Sequence, residues 1–162
     1  VNLAQIRQSA EMYCGVAIED DMLLQAVNEA LEQIGDLAFI DEEVEVTAID
    51  ADWNDLPEGT TSIINVTQNA APYQQWQTRG YKIKFVEPGT YIVALQRMPN
   101  KVESVTETPE CHPLFHQAIG TYLRSFVKLT KDDTNQDGHN LKQEFKEQVA
   151  RAAKIIMSNR KR

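Results

Sequence analysis

The sequence predicts an α+β fold in which a helix pair at each end flanks a small antiparallel β-sheet of about four to five strands. Three observations carry that prediction. Apolar residues recur three and four apart up to residue 36, and again from residue 112. Between residues 44 and 105 they alternate with polar residues instead, the period of a half-buried strand. Strand and helix patterns are segregated along the chain rather than interleaved, which argues against a parallel sheet with crossover helices. The 162 residues suit one domain, with residues 1–36 helical, 44–105 a β insertion and 112–160 helical.

Taken in order, Leu3, Ile6, Ala10 and Tyr13 form the stripe of a first helix, closed by Gly15. Asp20 and Asp21 offer caps to a second, whose Leu23, Leu24, Val27, Ala30, Leu31 and Ile34 share one face before Gly35-Asp36 ends it. Val44, Val46 and Ala48 alternate with Glu45 and Thr47 in a first strand. Trp53 and the turn Leu56-Pro57-Glu58-Gly59 lead into a second, Ser62 to Thr67, and a polar loop is expected from Gln68 to Gly80. Tyr81, Ile83 and Phe85 then alternate with Lys82 and Lys84. Glu87-Pro88-Gly89 reads as a tight turn, with Tyr91 to Leu95 as the returning hairpin strand. Pro99 ends that strand, and Lys101 to Val105 offers one more. Pro113 suits the first turn of a third helix, with Leu114, Phe115, Ala118, Ile119, Tyr122, Leu123 and Phe126 on its apolar face. After a polar loop from Thr130 to Gly138, the residues Leu141, Phe145, Val149, Ala152, Ile155 and Ile156 mark the last helix.

The hydrophobic share of 42% and charged share of 25% are those of an ordinary globular protein, long enough to fold without a metal or disulfide. No stretch is apolar enough for a membrane span, and Val1 to Gln5 show no basic region before an apolar core, so neither a membrane segment nor a secretory leader is expected. Cys14 and Cys111 stand far apart in no pairing pattern and are expected as free thiols in a reducing cytoplasm. A net charge of −8 argues against nucleic-acid binding as the main task. The charge is also divided. Residues 139–162 carry seven Lys/Arg and two Glu, 7 − 2 = +5, leaving 9 − 22 = −13 on residues 1–138. An acidic body with a basic end suggests a docking segment; the plainer reading is cations that complement the dipole of a final helix.

The sharpest local motif is Asp133, Asn135, Asp137, Gly138 and Glu144, which match the spacing of a calcium loop between two helices. Asn140 stands where that pattern wants an apolar residue and Leu141 where an oxygen donor is common, and no second loop is present. The expected reading is therefore a polar connection with Asp137 capping the last helix and Glu144 on the surface, a calcium-binding regulatory module being the alternative. His112 and His116 are four apart beside Glu110 and Cys111, a helical spacing that can hold a metal. His112 precedes Pro113, however, so helix capping and surface exposure are expected for the pair. No phosphate loop, nucleophile elbow or HExxH signature occurs, so no enzyme activity and no cofactor are expected. Trp53, Tyr73, Trp76 and Tyr81 are expected in a core rather than around a pocket, although a small enzyme with a scattered site is a further alternative.

The order of these elements resembles that of the head–tail adaptor (connector or neck) proteins of tailed bacteriophages. The resemblance rests on the N-terminal helix pair, Trp53 to Pro57 before a strand at Ile63 to Val66, and the expected hairpin Tyr81 to Leu95 ending in Arg97-Met98-Pro99. It continues through Thr108-Pro109-Glu110-Cys111-His112 ahead of a helix, and a final helix with a basic end. It spans most of the chain as a pattern of elements and prolines. It implies a structural protein of the virion neck, assembled in the host cytoplasm as a ring, a dodecamer, of copies of itself. Such a ring lies beneath the portal protein, meets a downstream neck or tail protein, and lets DNA pass without specific binding. With the charge asymmetry it points to Arg151, Lys154, Ile155, Ile156, Arg160, Lys161 and Arg162 as portal-binding residues.

Overall fold

A computed structural model describes residues 1–160, without the side chains of Asp36 and Arg160. The fold is α+β, with four helices and two antiparallel sheets of four and three strands. It divides into two compact units. Val1–Ala38 together with the chain from Lys101 onward form a helical unit, and Phe39–Asn100 form a β unit inserted into it.

In the helical unit, α1 (Leu3–Cys14) starts with a reciprocal cap. The Asn2 side chain accepts from the Gln5 N–H at 3.0 Å, while the Gln5 side chain accepts from the Asn2 N–H at the same distance. Gly15, at φ +71°, closes the helix in the left-handed conformation that glycine adopts without strain. Asp20 and Asp21 do not cap α2 (Asp20–Ile34) by side-chain hydrogen bonds. They sit inside its first turn, where carboxylates face the positive end of the helix dipole, and Asp20 binds Arg7 at 2.7 Å. A single 3-10 turn, Pro113–Phe115, opens α3 (His116–Lys131), which packs on α1, α2 and α4 (Gln136–Arg160). That central position explains why α3 buries Ala118, Ile119, Thr121, Tyr122, Leu123, Ser125 and Val127 around so much of its circumference.

The segment from Lys101 to Val105, expected as a strand, is not one. The Asn28 side chain takes the place of a neighbouring strand, donating to the Val102 carbonyl at 3.0 Å and accepting from its N–H at 2.8 Å. Val102 is thereby held in the helical core with its backbone satisfied.

The β unit has two sheets. One runs β1 (Ile40–Ala48), β7 (Gly89–Arg97), β3 (Thr60–Gln68), β4 (Ala71–Pro72), in that spatial order. The other runs β2 (Trp53–Asp55), β6 (Lys82–Phe85), β5 (Trp76–Arg79). The expected hairpin from Tyr81 to Leu95 does not form. Glu87-Pro88-Gly89 instead carries the chain from one sheet to the other, because β6 pairs with β2 and β5 while β7 pairs with β1 and β3. Facing across a core buries the apolar sides of both strands. Phe85 stacks on Tyr91 with ring centres 3.8 Å apart and planes 3° from parallel, and Tyr73 closes on Tyr91 at 4.8 Å. Val46, Ala48, Leu56, Val66, Ile83, Val93 and Leu95 complete this second core. The polar loop expected from Gln68 to Gly80 contains β4 and β5, brought in by a two-residue turn at Asn69-Ala70. Arg97, 8% exposed, lies at the end of the core and binds Glu42 at 2.6 Å.

Candidate functional site

Helix α4 spans 25 residues, about 37 Å at the usual rise. Leu141, Phe145, Val149, Ala152 and Ala153 form its buried seam, with Phe145 edge-on to Tyr122 at 5.0 Å. Beyond Ala153 the seam fades. Ile156 packs partly against the helical core, whereas Arg151, Lys154, Ile155 and Met157 are exposed, Ile155 by 49% and Met157 by 55%. Arg151, Lys154 and Ile155 are three and four residues apart and therefore share one face. Of the seven residues expected to bind the portal, three thus stand together on open surface and Ile156 is partly buried against the helical core. Arg160 lies in α4 but its side chain is outside the described residues, as are Lys161 and Arg162 altogether. Met157 was missed by the sequence reading, although its position three beyond Lys154 places it beside that face.

The segment Asp133–Glu144 is not arranged as an ion cage. Helix α4 already begins at Gln136, so Asp137 and Gly138 are helical, and Glu144 lies eight residues into the helix, about 12 Å along it. Gly138 serves close packing rather than a sharp turn, since a Cβ there would come 2.8 Å from Leu129. The helix cap is Asn135, whose side chain accepts from the Gly138 N–H at 2.8 Å, and not Asp137 as expected. Asp137 binds Lys128 at 3.1 Å and accepts from the Tyr13 hydroxyl at 3.1 Å. The Lys128 ammonium holds the Asp137 carboxyl below its usual range, and Asp137 in turn raises Lys128. His139 reaches the Asp133 carbonyl at 2.7 Å, and Glu144 accepts from Gln148. Among the described residues, no three His, Cys, Asp or Glu side chains are gathered as a metal ion would need.

The two expected helix-start histidines separate. His112 caps the 3-10 turn through Nδ1, accepting from the Leu114 N–H at 3.2 Å. His116 is buried rather than exposed, 6% accessible, with Nε2 3.3 Å from the Pro109 carbonyl, and burial lowers its pKa. Cys14 and Cys111 are free thiols, and burial pushes Cys111 up to about 11. Of the four aromatic side chains, Tyr73 and Trp76 pack on the β core. Tyr81 is 49% exposed, beside an open groove of about 580 Å3 lined by Asp55, Leu56, Glu58, Arg79, Gly80 and Lys82. Trp53 lies under two cations, the Arg79 guanidinium at 5.0 Å and the Lys84 ammonium at 5.8 Å from its ring centre. Sequence reading gave no role to this basic and aromatic face. The alternation of Lys82 and Lys84 was visible, but joining them to Trp53 and Arg79 needs the strand order.

No protein-family model and no curated protein matches this chain.

Proposed function

We propose that the chain is a non-enzymatic structural subunit of a tailed-phage neck. Copies of it form a ring that joins the portal to a downstream neck or tail protein and continues the DNA channel. The observation that carries the reading is the outer end of α4, where Arg151 and Lys154 stand with the exposed Ile155 and Met157 around the last buried residues of the seam, Ala152 and Ala153. Cations interleaved with bare apolar side chains on a helix suit a protein partner that supplies both carboxylates and an apolar groove. The charge division supports the same role: an acidic body disfavours adhesion of DNA, and a basic end separates the docking contact from it. The resemblance to neck adaptors supplies the partner's identity.

The test is co-sedimentation of the purified chain with the portal ring of its phage. Saturable binding is expected, weakened about tenfold or more in a chain carrying Arg151→Ala, Lys154→Ala and Ile155→Ala with its helix content intact. Equal binding by that variant removes the assignment of α4, and no binding by the native chain removes the portal as its partner.

A further inference from the structure

The β unit segregates its charges by face. Residues 39–100 contain four cations, Arg79, Lys82, Lys84 and Arg97, against nine carboxylates, a net of 4 − 9 = −5. Arg97 is buried on Glu42. The other three stand on the outward face of the β2–β6–β5 sheet, where Lys84 lies between Trp53 and Gln77, and Lys82 between Asp55 and Arg79. Trp53 fixes two of them by cation–π contact, and Asp55 orients Lys82 at 2.9 Å. Since both sheets turn their inner faces to one core, the outer face of the other sheet points the opposite way. There Glu43 and Glu45 are exposed on β1, in line with Asp41, and no cation bridges Glu43 or Glu45 among the described residues. Strands β1, β3 and β4 contain no Lys or Arg, and β7 contains only the buried Arg97. Ile64 and Ile92 are exposed apolar residues on this anionic sheet.

We propose that these two faces bind each other between copies of the chain, Glu43 and Glu45 of one copy meeting Lys82 and Lys84 of another. Both pairs are two residues apart on a strand, about 6.8 Å, so the two sheets stacked face to face with these strands aligned match both charges at once. Trp53 contributes aromatic area of the kind that anchors interfaces, and Ile92 lies on the facing sheet as its apolar counterpart. Complementary surfaces on opposite sides of one unit make a head-to-tail contact, which builds rings or filaments rather than a two-fold dimer. A nucleic-acid backbone is the other polyanion that an indole with three cations accepts. Net charge repels either polyanion at long range, so the matched spacing of the carboxylates on β1 is what favours a second copy. The contact deepens the ring reading and rests on it for closure of the ring. Its test uses this chain without the portal, so that either can fail while the other stands.

Sedimentation velocity of the full chain at low and high salt reads the contact. Self-association is expected at concentrations up to about 1 mM in low salt, and dissociation as salt rises. Lys82→Glu/Lys84→Glu and Glu43→Lys/Glu45→Lys are each expected to weaken it about tenfold or more, with far-UV circular dichroism unchanged. A chain carrying all four reversals restores complementarity and is expected to regain association, which also shows that the reversed residues do not damage the fold. Lys82→Gln/Lys84→Gln, a milder change, is expected to weaken it in the same direction. A native chain that stays monomeric overturns the proposal, as does a reversal without effect or a fourfold variant that fails to recover. Loss of single-stranded DNA binding in Lys82→Glu/Lys84→Glu, with self-association intact, gives the face to nucleic acid instead.

Discussion

Ala70 holds a backbone that suits glycine better. Asn69 and Ala70, at φ +51° and +62°, are the two central residues of the turn that joins Gln68 to Ala71, and a hairpin turn with both φ values positive favours Asn-Gly. A Cβ in the left-handed region costs about 1 kcal/mol. Ala70→Gly is therefore expected to stabilise the β unit by up to about 1 kcal/mol, read as a higher denaturant midpoint with unchanged slope. His116 belongs to the same scale. Burial holds its folded pKa below the unfolded value of about 6.5, so the unfolded chain binds the extra proton first. Stability from the neutral ring is complete above that value and is lost as pH falls through it. Thermal melts between about pH 7.5 and 5 are expected to show the native chain losing melting temperature below about pH 6.5, and His116→Gln losing less over the same interval. Equal slopes would mean that other groups carry the acid sensitivity. Sequence revealed the residue types at both positions. It did not reveal that one histidine caps a turn while the other, four residues on, enters the core.

At the scale of elements, the helices were readable because their apolar periodicity is long: α2 and α3 keep their stripes over 15 and 16 residues. Strands β1, β3, β6 and β7 were readable as strands but not as partners, whereas β2, β4 and β5 fall in segments expected as turn or loop. Period-two alternation says which side of β6 is apolar and nothing about whether β7 lies beside it or across from it. The same limit explains Lys101 to Val105. A short apolar and polar run there is satisfied by one amide side chain, and Asn28 therefore acts as a missing strand. Asn28→Ala is expected to destabilise the helical unit by about 2 kcal/mol in chemical denaturation, since it removes both partners of the Val102 backbone in a partly buried site. An effect below about 0.5 kcal/mol would show that water replaces the amide. The Asp133–Glu144 motif failed as a cage for a related reason. A calcium loop needs its middle residues outside a helix, and the α3–α4 packing that brings a bare Gly138 against Leu129 winds them into α4.

For the whole molecule, charge gives the clearest link between the sequence and the proposed function. The −13 of residues 1–138 and the +5 of residues 139–162 are sums that need no fold. Folding adds direction. It gathers Arg79, Lys82 and Lys84 around Trp53 on one sheet and leaves Glu43 and Glu45 on the opposite one, so that an acidic unit carries a cationic face. The α4 end belongs to the helical unit and this face to the β unit, and the two proposals match them to different partners, a portal and a second copy. Screening by salt is expected to weaken the sheet-to-sheet contact more than the α4 contact, because Ile155 and Met157 add apolar area to the latter.

The sequence by itself determined the α+β class, the position of the β insertion between helix pairs, the charge division, and the basic amphipathic character of the last helix. These are local or additive properties, set by periods of two and 3.6 residues and by counting. Tertiary structure alone decided that the strands split between two sheets, that His116 and Val102 enter the helical core, and that Gly138 marks a close helix contact. It also decided which charges share a face. Each of those depends on pairing between residues far apart in the chain, and periodicity fixes which side of an element is buried without fixing what covers it.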